Sequence, residues 1–189
     1  MLGLNYLAWL GILVWLVVPA LAWLTAWLIR RRARTALMRG MGIVAGLAIL
    51  ATPWLISSGV KAHYDRQVRE LCAEDGGVRV YETVRLPAER FDEFGDFRIP
   101  IKANVQVLDP YYYEWRIQYY RKGKPSIERD HFLVFRKADG KLLGEAVSYA
   151  RLGGDLPGPW EGGTSFRCPE NSGNPALHKR VFIQTETGR

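Results

Sequence analysis

The segment RRRARTALMRG, Arg30 to Gly40, sets five arginines between two long apolar runs, and its reading decides the architecture. Leu4 to Ile29 and Met41 to Val60 contain no Asp, Glu, Lys or Arg. About 20 apolar residues, at ~1.5 Å of rise each, reach across the hydrocarbon core of a bilayer. The chain therefore reads as a transmembrane hairpin over residues 1–60, with helices at about 4–29 and 41–60 and a basic loop at 30–40. Short basic loops resist translocation, so Arg30, Arg31, Arg32, Arg34 and Arg39 place the loop in the cytoplasm and both termini outside it. The competing topology, an inward N-terminus with a cytoplasmic domain, would put all five arginines outside.

A cleaved signal peptide fits poorly. Such a leader carries basic residues before a short apolar core, whereas Met1 to Tyr6 has none and the arginines follow a much longer run. The net charge of +7 has the same topological origin. No acidic residue precedes position 61, and removing the five arginines from 26 basic residues leaves 21 against 19 acidic ones. An excess of two on residues 61–189 is no electrostatic footprint for nucleic acid. The basic pad suits anionic lipid headgroups instead.

Trp9, Trp15, Trp23, Trp27 and Trp54 fall in the two spans. Trp9 and Trp27 are separated by about 27 Å of helix, so their rings are expected near opposite membrane interfaces. Pro19 and Pro53 remove backbone donors and are expected to bend the helices. With no ionisable residue in either span, the hairpin reads as an anchor and not as an ion pathway. Gly42 and Gly46 form a small-residue surface that lets another backbone approach closely. The first reading is packing within the hairpin; the second is homo-oligomer formation.

Residues 61–189 are expected to form an extracytoplasmic α+β domain. His63, Tyr64, Gln67, Val68, Leu71 and Cys72 recur at helical spacing, which predicts an amphipathic stalk continuing the second span to Gly76-Gly77. Val78, Val80 and Glu82 then alternate with Arg79, Tyr81 and Thr83 as in a strand. Pro87 starts a short helical turn through Phe94, and Phe97 to Val107 suggests a strand interrupted by Pro100. Tyr113 to Arg121, His131 to Lys137 and Leu142 to Arg151 predict an antiparallel three-strand meander, with Asp139-Gly140 as a hairpin turn. One helix, the stalk, is expected to pack on it. Gly153 to Pro175 reads as irregular and His178 to Gln184 as a closing strand at the sheet edge. Trp160 either plugs the core or caps a groove.

Two cysteines stand far apart. In an oxidising compartment Cys72 and Cys168 are expected to form a disulfide that pins the Gly/Pro-rich segment to the stalk. No helical His pair, nucleophile elbow or phosphate-binding glycine loop occurs, so no metal and no cofactor are expected. Asp92, Glu93 and Asp96 read as a solvated face. The unusual local composition is Tyr111, Tyr112, Tyr113, Trp115, Tyr119 and Tyr120, which strand periodicity splits between core and an outward recognition surface.

These features lead to a non-catalytic bacterial inner-membrane protein presenting a disulfide-stapled periplasmic domain to another envelope protein or envelope component. The alternatives are a membrane-tethered periplasmic hydrolase using Asp or Glu with His131, and a structural subunit of a larger membrane complex.

Overall fold

The computed structural model describes residues 2–156, 163–170 and 174–185. Trp160 lies outside the described residues. The chain divides into two compact units, residues 1–63 with 153–164 and residues 64–152 with 165–189.

The first unit is built on helix α1 (Leu2–Arg32) and the beginning of α2 (Ala36–Asp75). Both are long and apolar enough to cross a membrane. Among the described side chains many large apolar ones are exposed, Leu37 at 78% and Trp23 at 68%. Gly42 and Gly46 turn toward α1, where an added Cβ would lie 3.0 Å from Ile29 Cγ2 and 3.2 Å from the Ala22 carbonyl oxygen. Trp15 and Trp54 meet edge to face at 6.1 Å.

The expected loop 30–40 shrinks to residues 33–35. Arginine is a good helix former, so Arg30, Arg31 and Arg32 extend α1 and Arg39 belongs to α2. The hydroxyl of Thr35 accepts the Met38 N–H and caps α2, so the helix starts earlier than the hydropathy implied. The segment after residue 152 belongs to this unit too. Ser57 Oγ donates to the Gly154 carbonyl at 2.9 Å, and Lys61 pairs with Asp155 at 2.9 Å.

In the second unit, α2 continues to Asp75, as the stalk pattern predicts, and Gly77 with φ 127° turns the chain into β1 (Gly77–Val80). β2 is Val84–Leu86; β3 (Tyr111–Arg121), β4 (Ser126–Arg136) and β5 (Leu142–Leu152) form the antiparallel meander. β1 and β6 (Ser165–Cys168) pair end to end with β5, giving the order β1-β5-β4-β3 with β6 beside β5. The chain then forms α3 (Asn174–Val181) and β7 (Phe182–Gln184).

Each face of the sheet has its own cover. Val134, Leu143 and Ala146 pack under Leu177, Val181 and Phe182 from α3 and β7. Ile127, Val147 and Tyr149 pack under Val68 and Cys72 of α2. A fully buried Leu or Val of this kind contributes about 1.5–3 kcal/mol. Gly144 is required where α3 crosses β5, because a Cβ there would stand 2.9 Å from Val181 Cγ2.

Five expectations are corrected. His178 to Gln184 is not a strand at the main sheet: it is the end of α3 followed by β7, which pairs parallel with β2 in a separate two-stranded sheet. Pro175 suits a first helical turn, and Leu177 and Val181 share one buried face. Two helices therefore pack on the sheet where one was expected. Gly153 to Pro175 is not wholly irregular, since β6 lies within it. Phe97 to Val107 is mostly irregular, with a 3-10 turn at Lys102–Asn104 and a lone bridge from Ile101 to Tyr113. The turn after Pro87 stops at Arg90 and does not run to Phe94.

Candidate binding surface

β3 is the edge strand of the meander, and its two halves differ. In the first half Tyr111 packs edge to face on Phe97 and Phe182, and Tyr113 lies 5.8 Å from the His178 ring. The Tyr113 N–H is taken by the Pro100 carbonyl at 3.0 Å. Tyr112 points to the opposite face and stacks on Phe135 at 5.3 Å. These three tyrosines are half-buried.

The second half is open. All six residues from Trp115 to Tyr120 are exposed, Trp115 at 48%, Ile117 at 42% and Tyr119 at 49%. Alternation along the strand puts these three side chains on one face. It also directs their backbone N–H and C=O groups away from β4, in step with the Tyr113 N–H that meets Pro100. Tyr120 occupies the register shift between Tyr119 and Arg121 and turns toward Tyr149, with ring centroids 5.8 Å apart.

Trp115 is held by two contacts although half its surface is open. Its indole stacks on Phe132 at 5.6 Å, and its Nε1–H donates to Asp130 at 3.1 Å. Asp130 is 2% exposed and also accepts from Arg167 of β6, whose guanidinium donates to Ser148 at 3.0 Å. Glu128, two places along β4 on the same face, is 8% exposed. Burial, then the neighbouring Asp130 charge, raises its carboxyl above the ordinary range, against the pull of Arg167.

A second polar cluster sits on the opposite face. His131 Nε2 lies 2.7 Å from Glu145 Oε2, and the Tyr81 hydroxyl donates to Glu145 Oε1. Burial works to raise Glu145, but the bonds from Tyr81 and His131 outweigh it and hold the carboxyl low. A His–carboxylate pair and a carboxylate pair are both the raw material of general acid–base chemistry. Neither cluster borders either of two grooves of the second unit. One groove, of about 310 Å³, is bordered by Leu71, Glu74, Tyr120, Arg121 and Ile127. Another, of about 380 Å³, is bordered by Phe94, Lys179 and Phe182.

The other predicted positions are scattered. Asp92 organises a turn: it accepts the N–H groups of Asp96 and Phe94 and pairs with Arg98, and the Asp96 bond leads in lowering its carboxyl. His63 is exposed on α2, whereas burial lowers His178 to about 4. Among the described residues, no three His, Cys, Asp or Glu side chains group as a metal site would require. The sulfurs of Cys72 and Cys168 are at bonding distance, with Cα atoms 6.0 Å apart, and join α2 to β6.

The Glu128–Asp130–Arg167 cluster escaped the sequence reading, which began β4 at His131. Extending the alternation back to Ser126 would have put Glu128, Asp130, Phe132 and Val134 on one face. Comparison with known protein families, curated proteins and solved structures gives no match.

Proposed function

We propose that this chain is a bacterial inner-membrane protein that presents a disulfide-stapled periplasmic domain to another envelope protein. The two apolar helices act as the anchor, with lipid covering their exposed leucines and tryptophans. The arginines at the facing helix ends hold the connector in the cytoplasm, which leaves both termini outside. The partner docks as an extended strand on the open half of β3. That reading is carried by one observation: from Trp115 to Tyr119 an edge strand offers backbone groups directed outward beside a row of exposed Trp115, Ile117 and Tyr119. The two polar clusters serve as supports, Asp130 fixing Trp115 and Glu145 binding β1 residue Arg79 and the adjoining Tyr81 to the sheet.

The experiment is purification in mild detergent of wild type and of a Trp115→Ala/Tyr119→Ala double variant, followed by mass determination and mass spectrometry. A stoichiometric protein partner, the same chain included, should accompany wild type and be lost from the variant. A partner retained by the variant, or a solitary wild-type chain, would remove β3 from the reading.

A further inference from the structure

The open length of β3 is bounded at both ends. Ile101 bridges to Tyr113 on one side, and the register breaks between Tyr119 and Arg121 on the other. Between them Trp115, Arg116, Ile117, Gln118 and Tyr119 form an unbroken ladder with β4, and Ile117 is at its centre. We propose that a second copy of this chain adds its own β3 here, antiparallel, with Ile117 on the two-fold axis and the two sheets joined into one. The proposal rests on the reading of β3 as the docking edge and names the occupant.

Self-complementarity of the strand selects that occupant. Pairing β3 with itself about Ile117 sets Ile117 against Ile117, Trp115 against Tyr119 and Arg116 against Gln118, each of the last two pairs occurring twice. The outward N–H and C=O groups of Trp115, Ile117 and Tyr119 then exchange hydrogen bonds with their counterparts. On one face the apolar row Trp115, Ile117, Tyr119 continues across the junction, as favourable cross-strand pairs do. On the other face no two like charges meet.

The neighbouring registers fail on named contacts. Pairing about Arg116 opposes two arginines and requires the Tyr113 N–H, which Pro100 already holds. Pairing about Gln118 sets Trp115 against Arg121, beyond the register break. Only the register about Ile117 uses the open stretch and nothing else. The edge is only lightly blunted: from Trp115 to Tyr119 there is no proline or lysine, and the one charged residue, Arg116, faces Gln118 in this register. Because the contact is isologous, each copy uses its open edge once and assembly stops at a dimer.

The test uses the full-length protein in native membranes and in mild detergent. Ile117→Cys, oxidised with copper-phenanthroline, should give a reducible band at twice the monomer mass. Facing Cα atoms of a hydrogen-bonded antiparallel pair lie about 5.5 Å apart, within disulfide reach. Trp115→Cys alone should stay monomeric, because its counterpart is four places out of register, about 13 Å along the strand. Mixed Trp115→Cys and Tyr119→Cys chains should cross-link. Ile117 is 42% exposed, so Ile117→Lys should leave Cys72 and Cys168 protected from thiol reagents while shifting the wild-type dimer to monomer. A silent Ile117→Cys, or Trp115→Cys linking as strongly, overturns the dimer. A benzophenone side chain at position 119 separates the two levels of the reading. If it captures a different protein while Ile117→Cys stays silent, β3 remains a docking edge and the self-pairing is wrong. If it captures nothing and Ile117→Cys is silent, both are wrong.

Discussion

Tyr149 donates a 2.6 Å hydrogen bond to Asp75, the last residue of α2, and so ties the end of that helix to the middle of the sheet. Arg129 completes the triangle, reaching Asp75 Oδ2 at 2.7 Å and the Tyr149 hydroxyl at 3.2 Å. Burial and the bond to Asp75 raise the Tyr149 phenol, so the hydroxyl stays a donor at physiological pH. Burial also works to raise Asp75, but the Tyr149 and Arg129 bonds outweigh it and its carboxyl is held below 3.8. A carboxylate with a depressed native pKa stabilises the fold above its unfolded value, and the contribution is lost as pH falls through the native value. Tyr149→Phe should therefore cost about 1–2 kcal/mol at neutral pH, because it leaves a part-buried carboxylate one donor short. Asp75→Asn should flatten the acid limb of stability below about pH 4. Chemical denaturation in detergent across that range, followed by tryptophan fluorescence, checks both.

Glu128 carries the opposite sign. Its native pKa stands above the ordinary 4.5, so the folded state is best served with the carboxyl protonated. The group stabilises most at pH below its unfolded value, and that contribution disappears as pH rises through the native value. At neutral pH Glu128→Gln should accordingly raise the melting temperature, with the gain fading as pH falls toward 4.5. Loss of stability at pH 7 would mean that the carboxylate is held by a favourable contact in its charged form. Asp130→Asn makes the contrast, since it weakens the grip of Arg167 and Trp115 and should destabilise.

The long apolar runs left little doubt about α1 and α2, because hydropathy over twenty residues averages out local ambiguity. The β4–β5 turn was legible too: Asp139 caps the Lys141 N–H at 3.1 Å, and Gly140 takes φ 67° as a hairpin requires. α3 was not. Phe182 and Ile183 read locally as a strand and are one, β7, but the helix before them shows only in the burial of Leu177 and Val181 one turn apart. β6 escaped because four residues in a Gly/Pro-rich stretch become a strand only by pairing with distant β5. The aromatic run gave the faces of β3 but not its two halves. Which tyrosines are covered depends on Phe97, Pro100 and Phe182, which no local pattern brings to β3.

The disulfide makes a sharper mechanical prediction than its position suggests. Cys72 and Cys168 are 96 positions apart, and closing a loop of that length corresponds to about 4–5 kcal/mol of unfolded-state entropy. Cys168 ends β6, the strand that carries Arg167 to Asp130. Cys72→Ser/Cys168→Ser should therefore lower stability by about that amount, and β6 amides should exchange their protons for solvent deuterium faster than those of β4. Hydrogen exchange with mass spectrometry resolves the two strands. Equal loss of protection across β4 and β6 would show that the bridge serves the whole sheet and not the docking of one strand.

The same two sulfurs test the topology, since disulfides persist in oxidising compartments and are rare in the cytosol. In intact cells a membrane-impermeant maleimide should label neither cysteine of wild type before reduction and both after an impermeant reductant. Moving a single cysteine to Arg34, in a chain whose Cys72 and Cys168 are both replaced by serine, should give the reverse pattern. That thiol should react only once the membrane is permeabilised, because the arginine-rich connector is expected on the cytoplasmic side. If Cys72 and Cys168 instead label only after permeabilisation and without reductant, the domain is cytoplasmic. The arginines would then face outward, and the envelope partner proposed for β3 would lose its compartment. The pairing of β3 with its own copy would survive that outcome, because it depends on the strand alone.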